Sequence, residues 1–150
     1  MKMFNFSLQK LLDVKETLET AAKAEMGKAI QKLEISKKEL SELQLRLIRQ
    51  VDRVEKFRGI KDRYYDLSLH LKYLSWLERR IEKQFQYILK RQHDVEESRN
   101  KLLHVMRERE SIGHLKEREK QQWLVDKNHK EQNEMDEVAA AGFIRHWQTV

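Results

Sequence analysis

Six histidines and the carboxylates near them are the side chains of this chain best suited to chemistry. They form the pairs His104 with Glu108, Glu110 with His114, and Asp126 with His129. Spacings of three or four put each pair on one face of a helix. A helix-borne zinc site needs two His about four residues apart, and carboxylate-bridged di-iron sites use Glu-x-x-His. Here the six His are at least ten residues apart and Glu-x-x-His does not occur. Two possible ligands on a wet helix surface hold no metal, so the three pairs read as ordinary surface pairs. Phosphate cradling needs a glycine-rich turn, and no two of Gly27, Gly59, Gly113 and Gly142 are close. With no Cys there is no thiolate and no disulfide. Acid–base work by a carboxylate needs a cleft that desolvates it, and nothing in the pattern builds one. The expectation is a non-enzymatic protein with no catalytic residue, cofactor or metal ligand.

Binding is the chemistry that remains. In LHLKYLSWLERRI, residues 69–81, two apolar stripes share one helix. Leu71, Leu74 and Ile81 point one way, while Leu69, Tyr73, Trp76 and Leu77 form a second stripe about 120° round. One stripe serves a partner helix of the same chain. The other either packs on an overhanging tail of that chain or is a docking patch, since Trp and Tyr dominate interface hot spots.

The elements that carry these residues follow from heptads. Met26, Leu33, Leu40, Leu47 and Val54 recur every seven residues, as do Leu67, Leu74, Ile81, Ile88, Val95 and Leu102. Such rows keep one side of a helix against a partner along a supercoiled seam. The companion rows read as impure: Lys37 and Gln44 interrupt that of the first helix, and Glu78, Gln92 and Arg99 alternate with Leu71, Phe85 and Met106 in the second. Between the runs lies FRGIKDR, where Gly59 marks a helix end. The fold class expected is all-α: a long antiparallel two-helix coiled coil, a helical hairpin without a globular core. It forms a single domain over 1–150, with helices over about 7–57 and 65–139 and a turn at about 58–64. The absence of Pro and the scarcity of Gly agree with few turns and long helices.

A net charge of +6 raises the possibility of nucleic acid. The 31 Lys and Arg are interleaved with 25 Asp and Glu along the chain, as in RERESIGHLKEREK. That pattern is a solvated, salt-bridge-laced surface rather than a phosphate-tracking stripe, so no nucleic-acid partner is expected. No signal-peptide run and no stretch near 18 uninterrupted apolar residues is present. The protein should be cytoplasmic, reaching the membrane only peripherally or through a partner.

Three segments resemble the flagellar type III export protein FliJ family. FNFSLQKLLDVKE is similar to its opening F-x-F-x-L-x-x-L-L-D motif, at Phe4, Phe6, Leu8, Leu11, Leu12 and Asp13. YLSWLERRI is similar to its aromatic-Leu-x-x-Leu-Glu-x-x-Ile segment, at Tyr73, Leu74, Leu77, Glu78 and Ile81. KEQNEMDEVA resembles its E-Q-x-x-x-D-E signature, at Glu131, Gln132, Asp136 and Glu137. The resemblance implies a coiled coil like the central stalk of rotary ATPases, working in flagellar protein export. It implies that the terminal end, with Glu131, Gln132, Asp136 and Glu137, inserts into the hexameric export ATPase ring. It implies that Tyr73, Leu77, Arg80 and Gln84 contact the cytoplasmic part of the membrane export gate, with Leu69 and Trp76 on the same stripe. Export chaperones are further implied partners. Arg80 stands where some family members have a small residue, and Gln84 where they have His.

Two other readings compete. One is the stalk of a virulence type III secretion system. The other is a homodimeric cytoskeletal or scaffold coiled coil, which should show a continuous seam and no exposed aromatic patch.

Overall fold

A computed structural model of the chain describes residues 2–60 and 64–149. Two helices, α1 (Gln9–Phe57) and α2 (Tyr64–Gln148), account for nearly all of it. They pack as an antiparallel hairpin, and the described residues include no strand. The chain divides into two compact units, Thr20–His104 and Met1–Glu19 with Val105–Val150.

The seam of the first unit obeys the heptad more strictly than the sequence reading allowed. On α1, from Ala22 to Phe57, the covered residues are Ala22, Met26, Ala29, Leu33, Ser36, Leu40, Leu43, Leu47, Gln50, Val54 and Phe57. The steps alternate four and three throughout, and every residue between is exposed. The covered row beside Leu33, Leu40 and Leu47 is therefore Ala29, Ser36, Leu43 and Gln50. Lys37 and Gln44, expected to interrupt the seam, face solvent. The same correction holds on α2, where His70, Leu77, Gln84, Arg91 and Ser98 accompany Leu67, Leu74, Ile81, Ile88, Val95 and Leu102. Leu71 and Phe85 are exposed. Residues at +3 and +4 from a seam position sit almost equally near the contact line, and helix pairing decides between them.

Leu43, Leu77 and Ile81 form the buried cluster, with Leu40 and Leu47 packed against it. Polar layers flank it. Gln50 Nε2 donates to the His70 carbonyl at 2.9 Å and lies 2.9 Å from His70 Nδ1. The His70 ring also stacks on Phe57, 5.0 Å between centroids. A buried amide satisfied in this way fixes register, because sliding the helices by one heptad would orphan it.

Of the expected turn at 58–64, residues 61–63 lie outside the described residues. Before them, Gly59 has φ +87°, and the chain tightens through Arg58 N–H to the Glu55 carbonyl and Ile60 N–H to the Phe57 carbonyl, both 3.3 Å. That is a helix end with Gly in the left-handed region, which glycine enters at little steric cost.

In the second unit Phe6 and Leu12 are buried, and Phe4 packs against Trp123 with ring centroids 6.0 Å apart. Here the heptad positions turn ionic. Lys15 Nζ meets Glu108 Oε2 at 2.6 Å, and buried Glu19 pairs with Arg109. α2 runs on to Gln148 rather than stopping near 139. Ala139–Ala140–Ala141 is strongly helix-forming, and one Gly at 142 costs only about 1 kcal/mol. From Asn128 through Thr149 every residue is exposed.

Candidate partner-binding site

The docking stripe expected at residues 69–84 is part surface and part seam. Leu77 is 0% exposed, at the centre of the cluster with Leu43 and Ile81. Gln84 is 4% exposed. Its Nε2 donates to the Ser36 carbonyl at 2.9 Å and to Glu39 Oε2 at 3.2 Å. Neither side chain presents a surface, which corrects their expected place on an open patch. Both are heptad residues that hold the helices together beneath the stripe.

Leu69, Tyr73, Trp76 and Arg80 are exposed and lie together. At about 100° per residue these four positions fall within about 60° of one another. Tyr73 is 39% exposed and Trp76 48%. The two rings stack with centroids 5.8 Å apart and planes 14° from parallel. Stacking holds both rings in place before any partner arrives, so little rotamer freedom is left to lose on binding. Trp76 and Arg80 of α2, with Glu39, Glu42 and Arg46 of α1, line a shallow groove whose floor is Leu43 and Gln84. The arrangement offers two aromatic faces beside a charged rim over a sealed seam. It can bind a partner's apolar side chains, and it brings together no nucleophile, base or oxyanion donor.

The second set of expected residues lies on the exposed end of α2. Glu131, Gln132, Asp136 and Glu137 are all exposed. They do not share one face: Gln132 and Asp136 are neighbours at i,i+4, whereas Glu131 and Glu137 lie about 100° to either side of that pair. Glu131 approaches Lys127 at 3.9 Å, and the Lys127 ammonium sits 5.3 Å from the Trp123 ring centroid. The segment also carries apolar side chains. Met135 and Val138, each 73% exposed, line a shallow groove with Ala139, Glu131 and Glu134. Phe143 and Trp147 follow, 5.9 Å apart. Ending the helix near 139 left Phe143 and Trp147 outside it, although Met135, Val138 and Ala139 within it already carried an apolar spacing.

Glu108 is engaged by Lys15, Asp126 accepts from Gln122 at 3.0 Å, and His93 lies 3.1 Å from Glu97. Among the described residues no three His, Cys, Asp or Glu gather into a possible metal cluster. No helix among them is long and apolar enough to cross a membrane.

The family model described as flagellar FliJ protein matches residues 3–147. No curated protein matches the chain. Among solved structures, that of a YscO homolog from Chlamydia trachomatis is similar, with a TM-score of 0.74 at 19% identity. The alignment covers 99% of this chain and 100% of that one. At that identity the likeness speaks to the fold, a two-helix hairpin that both chains share.

Proposed function

The chain belongs to the flagellar FliJ protein family, and from that membership we propose that it is a non-enzymatic stalk of the flagellar protein export apparatus. In this reading the protein works at the cytoplasmic face of the membrane. It links the hexameric export ATPase to the cytoplasmic part of the export gate, and it assists export chaperones. The observation that carries the reading is the stacked Tyr73–Trp76 pair, exposed directly above a seam that Leu77 closes. A homodimeric scaffold coiled coil has no use for such a patch, because its apolar surface is consumed in its own seam. Leu69 and Arg80 flank the aromatics as contact residues for the gate. Leu77 and Gln84 support them from beneath.

The exposed end of α2 is the proposed ATPase contact. Glu131, Gln132, Asp136 and Glu137 supply polar contacts to ring loops, and Met135 with Val138 adds an apolar strip. Reversing Asp136 and Glu137 to Lys should reduce stimulation of the export ATPase while helicity by circular dichroism is unchanged. Unaltered stimulation would remove those two carboxylates from the contact.

The likeness to a YscO homolog favours a second reading, a stalk of a virulence type III system. Deleting the protein from its bacterium separates the two. Loss of flagellar filaments and motility supports the flagellar reading, whereas normal motility with failed effector secretion supports the other.

A further inference from the structure

Beyond the aromatic stripe, the same flank of α2 continues through Arg80, Lys83, Tyr87 and Arg91, four positions within about 80° on the helical wheel. Lys32 joins them from α1, and together with Glu39 they line a groove of about 530 Å³. That volume lies within the range of clefts that hold small ligands or a few side chains. Charges that alternate along the sequence are thus sorted by helix pairing into four cations against one carboxylate. The adjoining grooves are more evenly mixed: Glu39 and Glu42 face Arg46 and Arg80 on one side. On the other, Glu25, Asp94 and Glu97 accompany Lys28 and Lys101, with Lys32 and Arg91 shared between the two grooves.

Two properties make this groove a receptor rather than a solvated face. Lys32, Arg80 and Lys83 have no ion-pair partner among the described residues. The one carboxylate present, Glu39, is held by Gln84. Arg91 is committed instead to positioning Tyr87. Its guanidinium carbon lies 4.6 Å from the ring centroid, it donates to the Tyr87 hydroxyl, and it is anchored by Asp94 at 3.3 Å. The result is an ordered aromatic wall beside three available cations.

We propose that this groove docks a short acidic segment of a protein partner, with carboxylates on Lys32, Arg80 and Lys83 and an apolar side chain against Tyr87. Like charges gathered in a groove focus potential and favour an oppositely charged ligand. A nucleic acid or an anionic membrane fits less well. From Arg80 to Arg91 the basic run spans about 17 Å at 1.5 Å per residue. Beyond it the charges mix, Glu42 with Arg46 at one end and Glu97 with Lys28 and Lys101 at the other, so no continuous basic track is offered to a phosphate chain or lipid surface. An acidic peptide segment can end where the cations end.

The test is fluorescence anisotropy on the full chain with a short labelled Glu-rich peptide containing Leu. Its Gln-for-Glu counterpart, a single-stranded oligonucleotide and anionic phospholipid vesicles serve as comparison ligands. Saturable binding of the Glu peptide is expected, weakened at least roughly tenfold by Lys32→Glu with Lys83→Glu. Lys101→Glu, in the mixed neighbouring groove, and Tyr73→Ala, on the aromatic stripe, should leave it unchanged. Both lysines are exposed, so circular dichroism should report an intact hairpin. Equal affinity in the double reversal, an equal loss in Lys101→Glu or Tyr73→Ala, or tighter binding of oligonucleotide or vesicles than of peptide would each overturn the proposal. Because Tyr73→Ala is the control here, loss of the gate contact and loss of this groove give different results.

Discussion

Leu77 and Tyr73 are four residues apart on α2, yet their removal should have opposite consequences. Leu77 has no exposed surface and fills the space between Leu43 and Ile81. Leu77→Ala should therefore destabilise the hairpin by about 2–5 kcal/mol through lost burial and the cavity left behind, measured by urea denaturation. Tyr73 stacks on Trp76 and is 39% exposed, so Tyr73→Ala should stay within about 1 kcal/mol of wild type, as changes outside the core usually do. The sequence alone could not separate these two, because Leu77 reads as part of the second stripe at its border with the seam, and only the placed partner helix assigns it to the core. The buried amides make a different prediction. Gln50→Leu with Gln84→Leu removes two desolvated amides, and the His70 and Ser36 carbonyls that they serve lie within helices and keep the helical bond, so little is left unsatisfied. The melting temperature should hold or rise, while light scattering should reveal mixed oligomers as the register loosens. A lower melting temperature with a clean monomer would show that the amides act through stability instead.

The helices themselves were largely legible in the sequence, and their details were not. The seven-residue rows from Met26 and from Leu67 identify both helices and their seam, since only a paired helix keeps one apolar side over so many turns. The companion row of α2 misled because His70, Gln84, Arg91 and Ser98 are polar, so the true row looked less apolar than the exposed row of Leu71 and Phe85, while on α1 the covered row of Ala29, Leu43 and Phe57 was passed over. The far end of α2 was missed for a related reason. Met135, Val138, Phe143 and Trp147 have no partner helix among the described residues to reveal their purpose. Among the described residues Gly59 is the one backbone position where residue type is forced. Its φ of +87° lies where a side chain is strained, although no atom lies within 4 Å of a built Cβ. Gly59→Ala should cost about 1–2 kcal/mol from backbone conformation alone. Gly59→Asn should cost less, because Asn tolerates that region. Thermal melts of the two variants check the ordering, and equal melting would mean that the chain reaches its end by another conformation.

At the scale of the molecule, pairing the helices creates surfaces that neither helix carries alone. The interleaved charge of the sequence implied an evenly solvated exterior, which holds for most of the chain. It fails in the groove where Lys32 meets Arg80 and Lys83, because residues about fifty positions apart become neighbours only when the hairpin closes. The aromatic stripe is similar: its residue types were visible at once, but its exposure depended on Leu77 closing the seam. What spacing could not reveal was the division of one stripe into an exposed surface and the core beneath it. The central claim is that Tyr73 and Trp76 belong to a partner and not to the fold. It is tested most directly by measuring, on Tyr73→Ala and Trp76→Ala, both thermal unfolding and affinity for the cytoplasmic part of the export gate. Each variant should melt within a few degrees of wild type and lose at least roughly tenfold in affinity, because hot-spot aromatics carry about 2 kcal/mol or more of binding. A large fall in melting temperature, or unchanged gate binding in both variants, would contradict the account.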